Sequence, residues 1–375
     1  MSRRIVSLCV GVALLGWACA VVSAAQEPTP AEKLLLKDFR PESVYKTPQT
    51  VVPKAKYPAI DIHTHAYAKT AEQVADWVRV MDETGVEKAV ILTYATGSAF
   101  DSLYALYGKY PSRFEVWCGF DYTGYDQPGF GSAAVKELER CYKVGARGVG
   151  ELGDKGKGLF YCKPPAWGMH LDDPRMDPLL EKCAELKMPV NIHVADPYWM
   201  YLPMDAKNDG LMNAHKWRLD NQPGIVGHQG MIEILDRAVG RHPNTIFVVA
   251  HFANCCYDLS LLGAMLDKYP NMYADISARY EETAAIPRHV ARFYEKYQDR
   301  LVYGTDMRFS VPMYRYTFRV LESADEHFYD WSHCNYHWPL YGLALREPVL
   351  EKIYRGNALK ILQVRSTDVT QAAAR

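Results

Sequence analysis

The segment Asp61-Ile62-His63-Thr64-His65 sets two imidazoles two residues apart, directly after an apolar run and before a polar loop. Residues i and i+2 of a strand point to the same side, so His63 and His65 would project together from a strand end. Two neutral imidazoles on one face make half of a metal site. Residues of the same kind recur down the chain, each at or near the close of a short apolar run: Glu151 in ARGVGEL, His193 in PVNIHV, His251 in TIFVVAH and Asp306 in RLVYGTD. Imidazole and carboxylate together suit a divalent cation. Such a cation brings the pKa of water from about 15.7 towards about 7, so hydrolysis would need no serine or cysteine nucleophile.

These residues can cooperate only if the fold gathers them. Short apolar or β-branched runs occupy 59–63, 88–93, 114–120, 146–152, 189–194, 245–251, 272–277 and 300–306, and each reads as a strand. Helix-like spacing fills 71–85, 132–145, 177–187, 232–243, 259–270 and 284–299, several of these ending at glycine or proline as helices do. Alternation of this kind predicts an α/β protein with a parallel sheet and helices outside. Eight units without a Gly-rich dinucleotide loop predict a closed (β/α)8 TIM barrel with long loops at its C-terminal face. There the ends of the first, fourth, fifth, sixth and eighth strands would converge.

DIHTH, GVGEL, NIHV, VVAHF and YGTDM, in that order, with NMYADISA and YRGNALKIL, resemble the amidohydrolase superfamily, particularly its amidohydrolase-related branch, over about residues 57–363. The resemblance implies a TIM barrel holding one or two divalent metals, zinc first, with manganese, iron or nickel as alternatives. It implies that His63 and His65 bind the more buried ion with Asp306, that His193 and His251 serve the second position, and that Asp306 also carries the proton. Glu151-Leu152-Gly153 resembles the glutamate version of the fourth-strand ligand in TatD-type nucleases, and a carboxylate there can bridge two cations. The competing reading pairs Glu151 with Arg147 or Lys155. Asp306 and His251 would be the catalytic residues, the first moving the water proton and the second polarising the carbonyl in a one-metal version. Asp61 and Asn191, each two residues before a ligand histidine, are placed to fix an imidazole tautomer.

Three long loops, 153–177, 195–227 and 307–345, carry many aromatic residues. Rings beside a metal suit a walled cleft for a ring-shaped small molecule, with Tyr198 and Trp199 as candidate walls. An oligomer contact is the competing use of these side chains. Arg279 and Arg308, just past the last two strands, could receive a carboxylate or phosphate. The expected activity is hydrolysis of an amide, ester or lactone. The alternative is metal-dependent decarboxylation of an aromatic or muconate-type acid, and a TatD-type nuclease comes third.

A net charge of −1 and the lack of any lysine- or arginine-rich run remove the electrostatic footprint of a nucleic-acid binder. The N-terminus MSRRIVSLCVGVALLGWACAVVSAAQEPTP has the order of a secretory signal, with small residues for cleavage near Ala24. Residues 1–24 thus read as a signal peptide directing export to the periplasm or medium, with a retained membrane anchor as the alternative. Residues 25–56 read as an arm, 57–363 as the catalytic domain and 364–375 as a tail. Beyond Cys9 and Cys19 in the signal, an odd number of cysteines and the lack of CxxC argue against a zinc finger and a dense disulfide framework.

Overall fold

The computed structural model describes residues 30–362. Residues 1–24, read from the sequence as a signal peptide, and 364–375, read as a tail, lie outside the described residues. The chain divides into two units, Met1–Phe39 and Arg40–Arg375. The described part of the first consists of two 3-10 turns, Ala31–Lys33 and Leu36–Asp38, with Leu34, Leu35, Leu36 and Phe39 exposed.

Among the described residues the second unit contains ten strands: β1 Ala59–His65, β2 Val86–Leu92, β3 Phe114–Trp117, β4 Val149–Asp154, β5 Gly158–Leu159, β6 Ala166–Trp167, β7 Val190–Val194, β8 Phe247–Val249, β9 Met272–Asp275 and β10 Leu301–Val302. β1, β2 and β3 pair in parallel, as do β4, β7, β8, β9 and β10 in that order. A parallel bridge between Cys118 and Val149 joins β3 to β4. On the other side, Ile62 N–H donates to Tyr303 O (3.0 Å) and Asp306 N–H donates to His63 O (2.8 Å), joining the last strand to the first. The eight parallel strands thus form a TIM barrel, and β5–β6 is an antiparallel hairpin laid over its mouth after β4.

Ile60, Ile62, Val90, Leu92, Trp117, Val248 and Val302 pack inside the strands with Ala358 and Ile361. The alternate residues, such as Ala89, Val190 and Phe247, pack outward with the helices. Helix Ala71–Thr84 shows why these segments fold as they do. Thr70 Oγ1 accepts from Gln73 N–H (3.3 Å) and Gln73 Oε1 accepts from Lys69 N–H (2.6 Å), satisfying two otherwise unpaired donors near the helix start. Val74, Trp77 and Met81 bury one face, and Gly85 at φ 79° closes the last turn, a conformation glycine adopts without steric cost.

Several expected boundaries shift. β8 stops at Val249 and β10 at Val302, so His251 and Asp306 stand past the strands in left-handed backbone, at φ 60° and 51°. The segment 307–345 is not all loop, because helix Val311–Glu322 lies within it, capped by Ser310 and burying Tyr314, Tyr316 and Phe318. Helix Gly97–Tyr107 was also unforeseen. Both are rich in aromatic residues, whose weak helix propensity is overridden by tertiary packing. From Arg40 onward the arm lies on the barrel: Asp325 accepts from Thr50 N–H (2.8 Å) and Thr50 Oγ1 (2.6 Å), and Lys56 pairs with Glu347 (2.5 Å).

Candidate metal centre

His63, His65, Glu151, His193, His251 and Asp306 all meet at the C-terminal mouth. Glu151, at the middle of β4, is the hub. Its Oε1 lies 3.6 Å from His63 Nε2, 3.0 Å from His193 Nδ1 and 3.4 Å from His251 Nε2, while Oε2 lies 3.5 Å from His65 Nε2. Asp306 approaches from the opposite strand, with Oδ1 3.0 Å from His65 Nε2 and 3.9 Å from His63 Nε2, and Oδ2 3.7 Å from His251 Nε2. His63/His65/Glu151 and Glu151/His193/His251 each gather one donor atom per residue within 4.8 Å. The ion pair of Glu151 with Arg147 or Lys155 does not form: Arg147 donates to the carbonyls of Tyr142 and Ala146, and Lys155 pairs with Asp196 (2.9 Å).

The remaining ring nitrogens explain how these side chains suit a cation. His65 Nδ1 is held by Leu92 O at 2.9 Å and His251 Nδ1 by Ser277 O at 3.0 Å. A carbonyl can only accept, so these nitrogens carry a proton and each ring turns its Nε2 toward Glu151 and Asp306. His63 Nδ1 meets Asp275 Oδ2 at 2.9 Å, leaving His63 Nε2 buried with no hydrogen-bond partner. His193 is reversed: Nε2 donates to Ala195 O (2.9 Å) and meets Asp196 Oδ1 (3.2 Å), so Nδ1 faces Glu151. Lone pairs facing carboxylates repel unless a proton or a cation lies between them. Imidazole nitrogens and carboxylate oxygens converging in this way fit a divalent metal.

The ionisation equilibria express the same demand. Burial works against charge on His63, yet the carboxylates of Asp275 and Glu151 push its pKa up to about 10. Burial likewise opposes charge on Glu151, but the His63 charge and hydrogen bonds from His193 and His251 hold its carboxyl well below the usual range. His251 goes the other way, lowered to about 4 by burial. Positive charge is therefore drawn to the side where His63 and Glu151 meet.

Asp275, at the end of β9, is the site residue that sequence reasoning missed. Besides holding His63, it accepts from Asn191 Nδ2 (3.1 Å) and from the backbone N–H of His251 (3.0 Å) and Ser277 (3.1 Å). Asn191 therefore supports the centre through Asp275 rather than through its neighbour His193. Asp61 does not touch an imidazole ring. Its carboxylate accepts from Thr305 N–H (3.0 Å), Thr305 Oγ1 (2.7 Å) and Tyr314 OH (3.3 Å). An irregularity in the β1–β2 register between Asp61 and Thr64 breaks the strict alternation that placed Asp61 beside His63. The only sign of Asp275 in the sequence was an acidic residue at a strand end.

His65, Glu151, His193, His251 and Asp306 open into a cavity of about 560 Å³, lined also by Tyr94, Phe160, Tyr161, Lys155, Trp217 and Arg279. Tyr161 packs over β4 because position 153 is glycine, where a Cβ would overlap its ring. Of the two arginines past the last strands, Arg279 is in the lining of this cavity. Arg308 is exposed and stands outside the lining. Tyr198 and Trp199 also stand outside it: Tyr198 stacks on Tyr257 with 4.1 Å between centroids, and Trp199 donates to Asp209. The seven cysteines from Cys118 to Cys334 are buried free thiols.

The amidohydrolase family model matches residues 57–364. No curated protein matches the chain. Among solved structures, 2,6-dihydroxybenzoate decarboxylase from Rhizobium is 16% identical, covering 82% of this chain and 99% of its own, with a TM-score of 0.50. Dihydroxybenzoic acid decarboxylase from Polaromonas sp. JS666, with bound manganese and 2-nitroresorcinol, is 18% identical over 84% of this chain and 99% of its own (TM-score 0.51). A TIM-barrel protein from Bordetella bronchiseptica is 17% identical over 81% and 98% (TM-score 0.51). These likenesses concern the fold. The match along most of the chain, set over the barrel and its ring of histidines and carboxylates, makes this protein a member of the amidohydrolase family.

Proposed function

We propose that the protein is a two-metal hydrolase that cleaves an amide, ester or lactone bond in a small ring-containing substrate. The observation that carries this reading is Glu151, one carboxylate between the pair His63/His65 and the pair His193/His251, at 3.0–3.6 Å from all four. Such a group can serve two cations at once, with Asp306 joining the first pair. Zinc is the proposed ion, given four imidazoles in the set; manganese, iron and nickel are the alternatives that elemental analysis would distinguish.

When bound, the cations would acidify water and polarise the carbonyl. The protein's own groups supply the rest. Asp306 has left-handed backbone at φ 51° and contacts with His65 and Tyr67, whose hydroxyl donates to Asp306 Oδ1 at 3.3 Å. That geometry aims its carboxylate at the cavity, where it accepts the water proton and returns it to the leaving group. His251 sits in a run of four left-handed residues, His251–Asn254, strained backbone of the kind concentrated at functional sites. This turn sets its ring over Glu151 and Asp306. Tyr94, Phe160 and Tyr161 wall the substrate away from bulk water.

Decarboxylation of an aromatic acid with a single metal ion is the second reading, favoured by the aromatic lining of the cavity; the Rhizobium and Polaromonas structures are named as dihydroxybenzoate decarboxylases. Elemental analysis of purified wild-type and Glu151→Gln protein, beside a panel of lactones, esters, amides and hydroxybenzoates, separates the two. Two ions per chain falling to one or none in the mutant, with turnover of an acyl substrate, supports the hydrolase. One ion unaffected by the mutation, with release of carbon dioxide, supports the decarboxylase. Export by residues 1–24 is proposed alongside and is tested by N-terminal sequencing of the mature protein.

A further inference from the structure

The charged groups of the cavity wall are not evenly matched. Lys155 Nζ is held by Asp196 Oδ1 at 2.9 Å. Arg279 is engaged three times over: Nε donates to Asn254 Oδ1 (3.1 Å), Nη2 donates to the same oxygen, and Nη1 donates to Ala278 O (2.6 Å), with Glu282 Oε2 3.6 Å from Nε. Both cations thus spend their charge on the protein. Of the four acids in the lining, Glu151 and Asp306 face the imidazoles and Asp196 is shared by His193 and Lys155. Glu281 alone lines the cavity with no side-chain hydrogen bond or ion pair among the described residues.

Glu281 is held in place nonetheless. It lies in the first turn of the short helix Tyr280–Ala284, its carbonyl accepts from Trp338 Nε1 at 3.0 Å, and Trp338 stacks on Tyr336 with centroids 4.1 Å apart. Tyr336 in turn donates to Glu282 at 2.7 Å. The backbone is therefore fixed, while the carboxyl has only its own backbone N–H and the more distant Arg279 charge to set against its ionised form, and no side-chain partner. Burial, with the charge of Glu282 next to it, pushes that carboxyl up to about 8. A half-buried acid with no donor from another side chain is poorly compensated, and a ligand that brings a donor relieves the cost.

We infer that Glu281 is a specificity-determining residue of the cavity, hydrogen-bonding a hydroxyl or ammonium group on the substrate ring. The inference rests on the proposed hydrolase for its reaction but not for its binding chemistry. The aromatic walls take the apolar face of the ring, and Glu281 takes its donor.

The test compares wild type with Glu281→Gln and Glu281→Ala, all metal-replete and checked for melting temperature. Ligands without a cleavable bond come first: an anhydrohexitol, its amino-substituted analogue, and unsubstituted tetrahydropyran, each titrated calorimetrically. Wild type should bind the hydroxylated or the amino ring about 10- to 100-fold more tightly than tetrahydropyran, the usual worth of a hydrogen bond to a charged or strongly polar group. That advantage should fall to a few-fold in the alanine variant and shrink in the glutamine variant, with tetrahydropyran unchanged. The same split should appear in KM rather than kcat for a hydroxylated lactone against its deoxy analogue. Equal losses on all ligands, or no loss on any, would overturn the inference. If wild type cleaves no acyl substrate, the hydrolase reading falls while the calorimetric comparison still decides the role of Glu281. If a variant fails to fold, the wild-type preference and the remaining variant decide it.

Discussion

Asp275 Oδ2 stands 2.9 Å from His63 Nδ1, both groups fully buried, while the other nitrogen of the same ring faces Glu151 and Asp306. One carboxylate outside the candidate ligand cluster thereby orients a ligand inside it and raises its basicity. Asp275→Ala should lower metal affinity about 10- to 100-fold, and Asp275→Asn should do so less if the amide oxygen keeps the ring in place. Metal content after dialysis against graded chelator, with circular dichroism to confirm folding, measures it. Full occupancy in both mutants would show that the contact is packing alone.

Removing the metal should leave protons in its place. The carboxylates push the His63 pKa up to about 10 without an ion, so at neutral pH the apo ring is doubly protonated. Metal uptake must then expel a proton. Calorimetric titration of apo protein in buffers of different ionisation enthalpy should show about one proton released for the first ion bound. The apo form should also melt several degrees lower and recover on adding metal. Identical binding heats in all buffers would contradict this account of the centre.

The convergence of the candidate residues was legible in the sequence because a barrel puts its chemistry at strand ends, where His63, His65, Glu151, His193, His251 and Asp306 interrupt otherwise apolar runs. It did not expose Asp275, since a single acid after a strand reads equally well as a turn former. Nor did it reveal the irregularity that carries Asp61 to Thr305 and Tyr314, because alternation is inferred from spacing and a register shift leaves no mark in spacing. Arg308, Tyr198 and Trp199 were placed by loop position alone, and loop conformation decided that they stand outside the cavity lining. The helix Val311–Glu322 was hidden by its aromatic residues, and its helical state depends on packing against the barrel.

Asp325 anchors the arm and gives the protein a pH dependence away from the metal. It accepts from Thr50 and from Arg319 Nε at 2.7 Å. Burial disfavours its charge, but the Thr50 and Arg319 hydrogen bonds outweigh it and hold the carboxyl below its ordinary value. A group depressed in the folded state contributes stability above its unfolded pKa, near 3.9, and loses it as pH falls through the folded value. Asp325→Asn should therefore destabilise at neutral pH by about 1–3 kcal/mol and reduce the difference from wild type below about pH 4. Urea unfolding of both proteins across pH 3–7 tests it; a constant difference over that range would mean the charge is irrelevant.

Asp306 carries the final prediction, because binding an ion and moving a proton make separable demands on it. Its Oδ1 meets His65 Nε2 at 3.0 Å and receives Tyr67 OH at 3.3 Å, while Oδ2 lies 3.7 Å from His251 Nε2. As a ligand only, Asp306→Asn would weaken metal binding, and excess metal would restore most of the rate. As a proton carrier too, the amide cannot replace it, and the metal-replete mutant should stay slower by about 100- to 10,000-fold. The deficit should shrink for substrates with good leaving groups, which need less protonation as the bond breaks. The measurement is kcat over a series of esters or lactones graded in leaving-group pKa, with metal content assayed in the same samples. A metal-replete mutant near the wild-type rate across the whole series would reduce Asp306 to a ligand. The search for the proton carrier would then pass to His251, whose Nε2 lies 3.7 Å from Asp306 Oδ2 across the same cavity.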